Sequence, residues 1–156
     1  MTIELIFRWG HFLAGIMWIG LLYYFNFVQV PAFAQFEAGP RTEAISKLVP
    51  RALWWFRWGA VLTLLTGLSI LGFQENLTSG DYFKTTPGMS ISTGILLALF
   101  MFGNVWLVIW PNQKRALGLV EADDATKAAS ARRAMVFSRT NTALSIPMLL
   151  AMTNFR

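Results

Sequence analysis

Cysteine is absent from this chain. Its absence excludes disulfides, cysteine-held iron–sulfur clusters, a thiolate nucleophile and the C-x-x-C-H attachment of covalent haem. Charge is scarce too, at 13% of residues, where a soluble domain carries about 25%. Histidine occurs once, at His11, so one copy of the chain cannot supply a bis-histidine pair. No Asp or Glu falls within the apolar runs described below, which argues against a proton relay or a cation-transport site in a membrane.

What the chain has in abundance is apolar: 55% hydrophobic and 15% aromatic residues. The run Phe7–Val28 holds one Arg, one His, one Asn and almost nothing else polar. Some ~20 residues rising ~1.5 Å each match the hydrocarbon thickness of a bilayer. The run exceeds the ~7–15-residue core of a signal peptide, so a retained helix is expected even though Ala32-Phe33-Ala34 resembles a cleavage site. Three further runs follow. The pattern predicts one transmembrane domain over residues 1–156, with helices about 3–30, 53–73, 90–110 and 135–155. Pro31 and Pro111 are expected to end the first and third helices, and Pro50 to sit in the first turn of the second. Pro147 is expected to kink the fourth. Residues 41–48 read as a short amphipathic turn of helix in the first loop. Asp123 or Asp124 is expected to cap an Ala-rich helix that continues into the fourth. Asn76-Leu77-Thr78 has the form of a glycosylation sequon. Phe-Arg-Trp-Gly occurs at 7–10 and again at 56–59, too short a match to establish a duplication.

Basic residues set the orientation. Residues 31–52 contain Arg41, Lys47 and Arg51, and residues 111–134 contain Lys114, Arg115, Lys127, Arg132 and Arg133, whereas the middle loop has only Lys84. The first and third loops are therefore expected on the cytoplasmic side, with both termini on the outer, periplasmic side. The expected fold is all-α: an integral membrane four-helix bundle, antiparallel and up-down, in a bacterial inner membrane. The same loop bias accounts for the net charge of +5, so no nucleic-acid partner is expected.

Topology sorts the polar residues into two levels. The outer level holds Arg8 and His11, with Met148 and Met152 one turn apart on the fourth helix. One reading makes His11 the iron ligand of haem b, a methionine the opposite ligand and Arg8 a propionate clamp. The other makes His11 a helix–helix hydrogen bond and the Met pair ordinary packing. A single His also makes a homodimer attractive, with the face of Gly15 as the contact. The inner level holds Gln29, Arg57, Asn112, Gln113, Arg139 and Asn141, with Asn104 somewhat deeper. Here one reading is an anion pocket, with Arg57 and Arg139 supplying charge, the amides direction, and Trp54, Trp55 or Trp58 a stacking surface. In the other, the arginines snorkel to lipid phosphates and the amides join helices.

Several stretches resemble the urate oxidase N-terminal family, the membrane part of bacterial membrane-bound urate hydroxylase. They are Arg8-Trp9-Gly10-His11 with Gly15–Gly20 and Tyr23-Tyr24-Phe25, and Trp55-Phe56-Arg57-Trp58 leading to Thr66-Gly67. The other two are Asn104–Gln113 and Ser138–Thr142 with Ser145–Met148. The first helix also resembles, more distantly, that of small haem-binding membrane oxidases. The resemblance implies oxidation of urate to 5-hydroxyisourate, with electrons passed outward to a cytochrome c. A urate anion would meet Arg57, Asn104, Asn112, Gln113, Arg139 and Asn141 from the cytoplasm, and haem b at His11 would sit nearer the periplasm. Full-length relatives carry about twice as many helices and a cytochrome c domain, neither of which is present in these 156 residues. The competing class is a non-catalytic accessory subunit of a larger respiratory or photosynthetic complex, with no cofactor of its own.

Overall fold

The computed structural model describes residues 2–73 and 80–153. They form four long helices and, among the described residues, no strand. We label the helices α1 (Ile3–Gln35), α2 (Ala38–Phe73), α3 (Thr86–Ala116) and α4 (Asp124–Thr153). The Asn76–Thr78 sequon and the last residues of the fourth predicted helix lie outside the described residues.

Two prolines fail to stop their helices. α1 was expected to end at Val30 and α3 at Trp110, yet α1 continues to Gln35 and α3 to Ala116. The reason is the same in both. A π-helical stretch, Tyr24–Gln29 in α1 and Asn104–Ile109 in α3, widens the turn just before the proline. Pro31 and Pro111 then fall in the first turn of the resumed α-helix, where a missing N–H costs least. α3 also begins earlier than expected, because Thr85 accepts a hydrogen bond from the Gly88 N–H at 3.2 Å and Pro87 follows in the first turn. It closes in a Schellman turn. Gly118, at φ 71°, donates to the Arg115 carbonyl, and Leu119 donates to that of Lys114. Most of the predicted loop 31–52 is helical, because Ala38–Lys47 leads into Val49–Phe73 with only Leu48 between.

Side-chain contacts give the register. Phe7 meets Phe73 and Phe25 meets Phe56, each at 5.5 Å between ring centroids, so α1 and α2 run antiparallel. Their closest approach is at Gly59, where a methyl group would lie 3.2 Å from the Trp18 backbone nitrogen. Only glycine admits a backbone that near. α3 and α4 are likewise antiparallel: Met152 lies over Gly94, and Asn104 bonds Asn141 at 2.8 Å. α4 joins α1 through Tyr23 OH and Ser145 Oγ at 2.8 Å, and through the Asn26 amide donating to Ser138 Oγ at 2.8 Å. α2 and α3 scarcely approach through their backbones; large side chains bridge them instead, with Trp58 and Trp106 at 6.2 Å.

The core consists of Trp18, Leu22, Leu53, Phe56, Met101, Val105 and Ile109, all almost wholly enclosed. Outside, the pattern of a soluble protein is inverted. Phe12, Leu13, Ile16, Leu96, Leu107 and Leu150 stand largely exposed. Among the described residues, α1, α2 and α3 are long and apolar enough to cross a membrane, and the exposed apolar surface is consistent with a membrane protein. α4 is as long but more polar, because it turns Ser130, Asn141, Thr142 and Ser145 inward against its neighbours.

Candidate functional site

The two polar levels predicted from topology occupy opposite ends of the molecule. At the end near Ile3 and Thr153, His11 Nδ1 lies 2.9 Å from the Thr63 carbonyl and 3.3 Å from Thr66 Oγ1. A carbonyl can only accept, so the proton is on Nδ1 and Nε2 is the lone-pair nitrogen. The ring lies close against α2 because residue 67 is glycine: a methyl group there would come within 3.0 Å of His11 Cε1. This is the arrangement of a histidine whose tautomer is pinned from behind.

The other residues expected at this level are held elsewhere. Arg8 donates to Glu4 from Nε at 2.9 Å and from Nη2 at 2.7 Å, one turn back on its own helix. Met148 is buried in the core cluster that also holds Trp18 and Met101. Met152 lies against Gly94 on α3, its Sδ 3.2 Å from where a methyl group would be. Among the described residues, no bond joins these groups to His11.

At the opposite end, the predicted residues divide by whether their hydrogen-bonding capacity is spent. Asn104 and Asn141 are paired with each other, and the Asn141 amide also donates to the Met101 carbonyl at 2.9 Å. Met101 precedes the π stretch of α3, so the Asn141 side chain supplies a donor where the helix ladder is irregular. The Asn112 amide donates to the Val108 carbonyl at 2.7 Å. Arg139 is exposed on α4. These four are engaged in structure or turned outward.

Arg57 and Gln113 are different. The Arg57 guanidinium carbon lies 3.3 Å over the Trp110 ring, a close cation–π stack. Its Nε and Nη1 are enclosed without a hydrogen-bond partner, and so is the side-chain oxygen of Gln113. The sequence suggested Trp54, Trp55 or Trp58 as a surface on which a flat ligand could stack; these three are exposed and form an aromatic cluster on the surface of α2, Trp54 and Trp55 at 4.9 Å. Trp110 was missed, although it stands in the Asn104–Gln113 stretch directly before Pro111. Two more enclosed, unpartnered groups belong to this end: the side-chain oxygen of Gln29 and the Trp106 indole N–H. Buried polar atoms are nearly always partnered, so this concentration of unmet donors and acceptors makes this end the candidate site. Trp18, fully enclosed between the two levels, also has an unpartnered indole N–H. Among the described residues, no group of three or more His, Cys, Asp or Glu gathers to hold a metal ion. An open concavity lined by Gly118, Val120, Glu121, Ala122, Asp123 and Lys127 lies in the α3–α4 loop.

Comparison with known proteins adds one finding. The family model described as urate oxidase N-terminal matches residues 81–155, which comprise α3, α4 and the turn before them. The match takes in the Asn104–Gln113 and Ser138–Met148 stretches; the resembling stretches of α1 and α2 precede it. No curated protein and no solved structure matches the chain.

Proposed function

Starting from a chain whose residues 81–155 match the urate oxidase N-terminal family, we propose that it is the membrane part of a redox system that oxidises urate or a similar flat anion. The observation that carries this reading is Arg57, held on the Trp110 ring with two enclosed N–H donors unmet. A delocalised anion fits such a group, because a guanidinium offers directional donors and a fixed charge. The oxidation implied converts urate and water to 5-hydroxyisourate, releasing two electrons and two protons. In the orientation given by the basic loops, the Arg57 end faces the cytoplasm of a bacterial inner membrane, and the His11 end faces the periplasm. A cytochrome c docking there would accept the electrons one at a time.

The cofactor this reading calls for is haem b, which supplies one-electron redox chemistry when bound. His11 would hold the iron: its Nδ1–H is pinned by the Thr63 carbonyl, and Nε2 is left as a ligand nitrogen. Arg8 does not fit as a propionate clamp while it is bonded to Glu4, and the Met148 and Met152 side chains are seated on the core and on Gly94. Any further protein ligand would come from another subunit, in a homodimer that apposes the Gly15 faces.

The test begins with the visible spectrum of the protein purified in mild detergent with haem supplied during expression. A b-type band absent from His11→Ala, and reduced by urate in the wild type but not in Arg57→Met, is the expected result. A colourless protein removes the redox reading. It leaves the accessory-subunit reading, for which the His11–Thr63 bond is simply a contact between helices.

A further inference from the structure

Besides the Trp106 indole N–H, three enclosed groups without partners stand at the Arg57 end, and they are not all of one kind. Arg57 offers donors; Gln29 and Gln113 offer side-chain carbonyl oxygens, which accept. Gln29 is 8% exposed, so its acceptor has no recourse to solvent. An orphaned buried acceptor is costly until something donates to it.

Helix register brings the three to one level. Trp58 and Trp106 meet across the α2–α3 seam. Trp110 lies one turn further along α3, about 6 Å at ~1.5 Å per residue. α2 runs the other way, so Trp110 is level with Trp54, and the Arg57 side chain reaches down to it. On the other side, Phe25 meets Phe56. Gln29 lies about one turn beyond Phe25, level with Leu53. Gln113 follows Trp110 by less than a turn. This is the level at which Phe25, Leu53, Phe56 and Ile109 stand in the core cluster.

The two glutamines also arise from one device. Gln29 is the last residue of the π stretch in α1. Gln113 lies one turn beyond the end of the π stretch in α3. An α-helix without the extra residue would rotate everything beyond the bulge by about 100°, turning these side chains to another face of their helices. π-bulges are frequent at functional sites for this reason.

We propose that Gln29 and Gln113 are the specificity-determining acceptors of the Arg57 site, and that they select anions carrying ring N–H groups over anions that only accept. The proposal rests on the reading of Arg57 as the anion-binding residue. A carboxylate or nitrate satisfies the guanidinium and leaves both glutamine oxygens unmet. A flat anion with N–H donors on its edge satisfies all three. Discrimination of this kind is large, because the wrong ligand leaves buried polar groups unpaired.

The test uses the full chain in lipid nanodiscs and two flat anions as probes: urate, which carries N–H groups, and benzoate, which has none. Equilibrium dialysis gives both affinities for the wild type, Gln29→Met, Gln113→Met and Arg57→Met. We expect wild-type protein to bind urate at least tenfold more tightly than benzoate. Each Gln→Met change is expected to weaken urate binding fivefold or more and leave benzoate unchanged; Arg57→Met is expected to weaken both. Methionine keeps helix propensity and volume, and far-ultraviolet circular dichroism confirms that each variant is folded. If a variant fails that check, Gln→Leu replaces it. A preference for urate that survives both glutamine changes overturns this proposal but leaves Arg57 as the anion site. Urate and benzoate binding that survive Arg57→Met, or that are absent from the wild type, overturn the anion-site reading and this proposal with it.

Discussion

At the scale of single residues, one buried pair should behave asymmetrically. Asn141 is wholly enclosed and bonds both the Asn104 side chain and the Met101 carbonyl. Asn141→Leu strands both partners, and each orphaned group costs about 1–3 kcal/mol. The expected result is a clearly lowered melting temperature in detergent. The double change Asn104→Leu/Asn141→Leu should recover part of the loss, since it strands only the Met101 carbonyl; a double variant less stable than the single would refute this. The pair also shows where sequence stops being informative. The grouping was legible: Asn104, Asn112, Gln113, Asn141 and Arg57 do gather at one end. Whether an amide is spent on a neighbour or left free depends on which way a helix face turns. For Asn112, Asn141 and Arg139 that is decided by packing, not by residue type. His11 is the counter-example. Both readings of it were visible in the sequence, and the structure assigns the proton to Nδ1 while leaving Nε2 for either role.

At the scale of elements, the first turn of α4 is the place where pH should act. The Thr126 N–H donates to Asp123 Oδ1 at 2.6 Å. That backbone bond, aided by a second from the Thr126 side chain, holds the Asp123 carboxyl below its ordinary value. A group depressed on folding contributes above its unfolded pKa, and the contribution is lost as pH falls through the folded value. The first turn of α4 should therefore fray on acidification below the usual carboxylate range. Faster amide exchange at Thr126 and Lys127 would report it. Asp123→Asn keeps a capping side chain without the titration, so its exchange should be insensitive to pH in that range beyond the intrinsic chemical rate. The cap was readable in the sequence, as were the four helices. What was not readable was that Pro31 and Pro111 would be passed. Proline reports a missing donor, and only the π stretches before each one show that the donor was not needed.

At the scale of the whole molecule, the helices group in two. α1 packs on α2, backbone against backbone at Gly59, and α3 packs on α4, where the Met152 side chain lies on Gly94. The halves meet through a few specific ties: Tyr23 to Ser145, Asn26 to Ser138, the Trp58–Trp106 contact and the Arg57–Trp110 stack. Two polypeptides divided between residues 73 and 80 should therefore reassemble when co-expressed, and co-purify at the stoichiometry of one to one. Asn26→Leu with Tyr23→Phe should weaken that recovery several-fold without lowering the amount of either fragment in the membrane.

This two-part arrangement has a consequence for biogenesis. Each half is a pair of neighbouring segments that can find its partner soon after leaving the ribosome, with no need to wait for the rest of the chain. The Arg57 end is then completed last, because Arg57 is made in the first half and Trp110 in the second. An incompletely synthesised chain would hold a charged guanidinium without its aromatic seat, a difference by which cellular quality control can tell a nascent half from a finished protein.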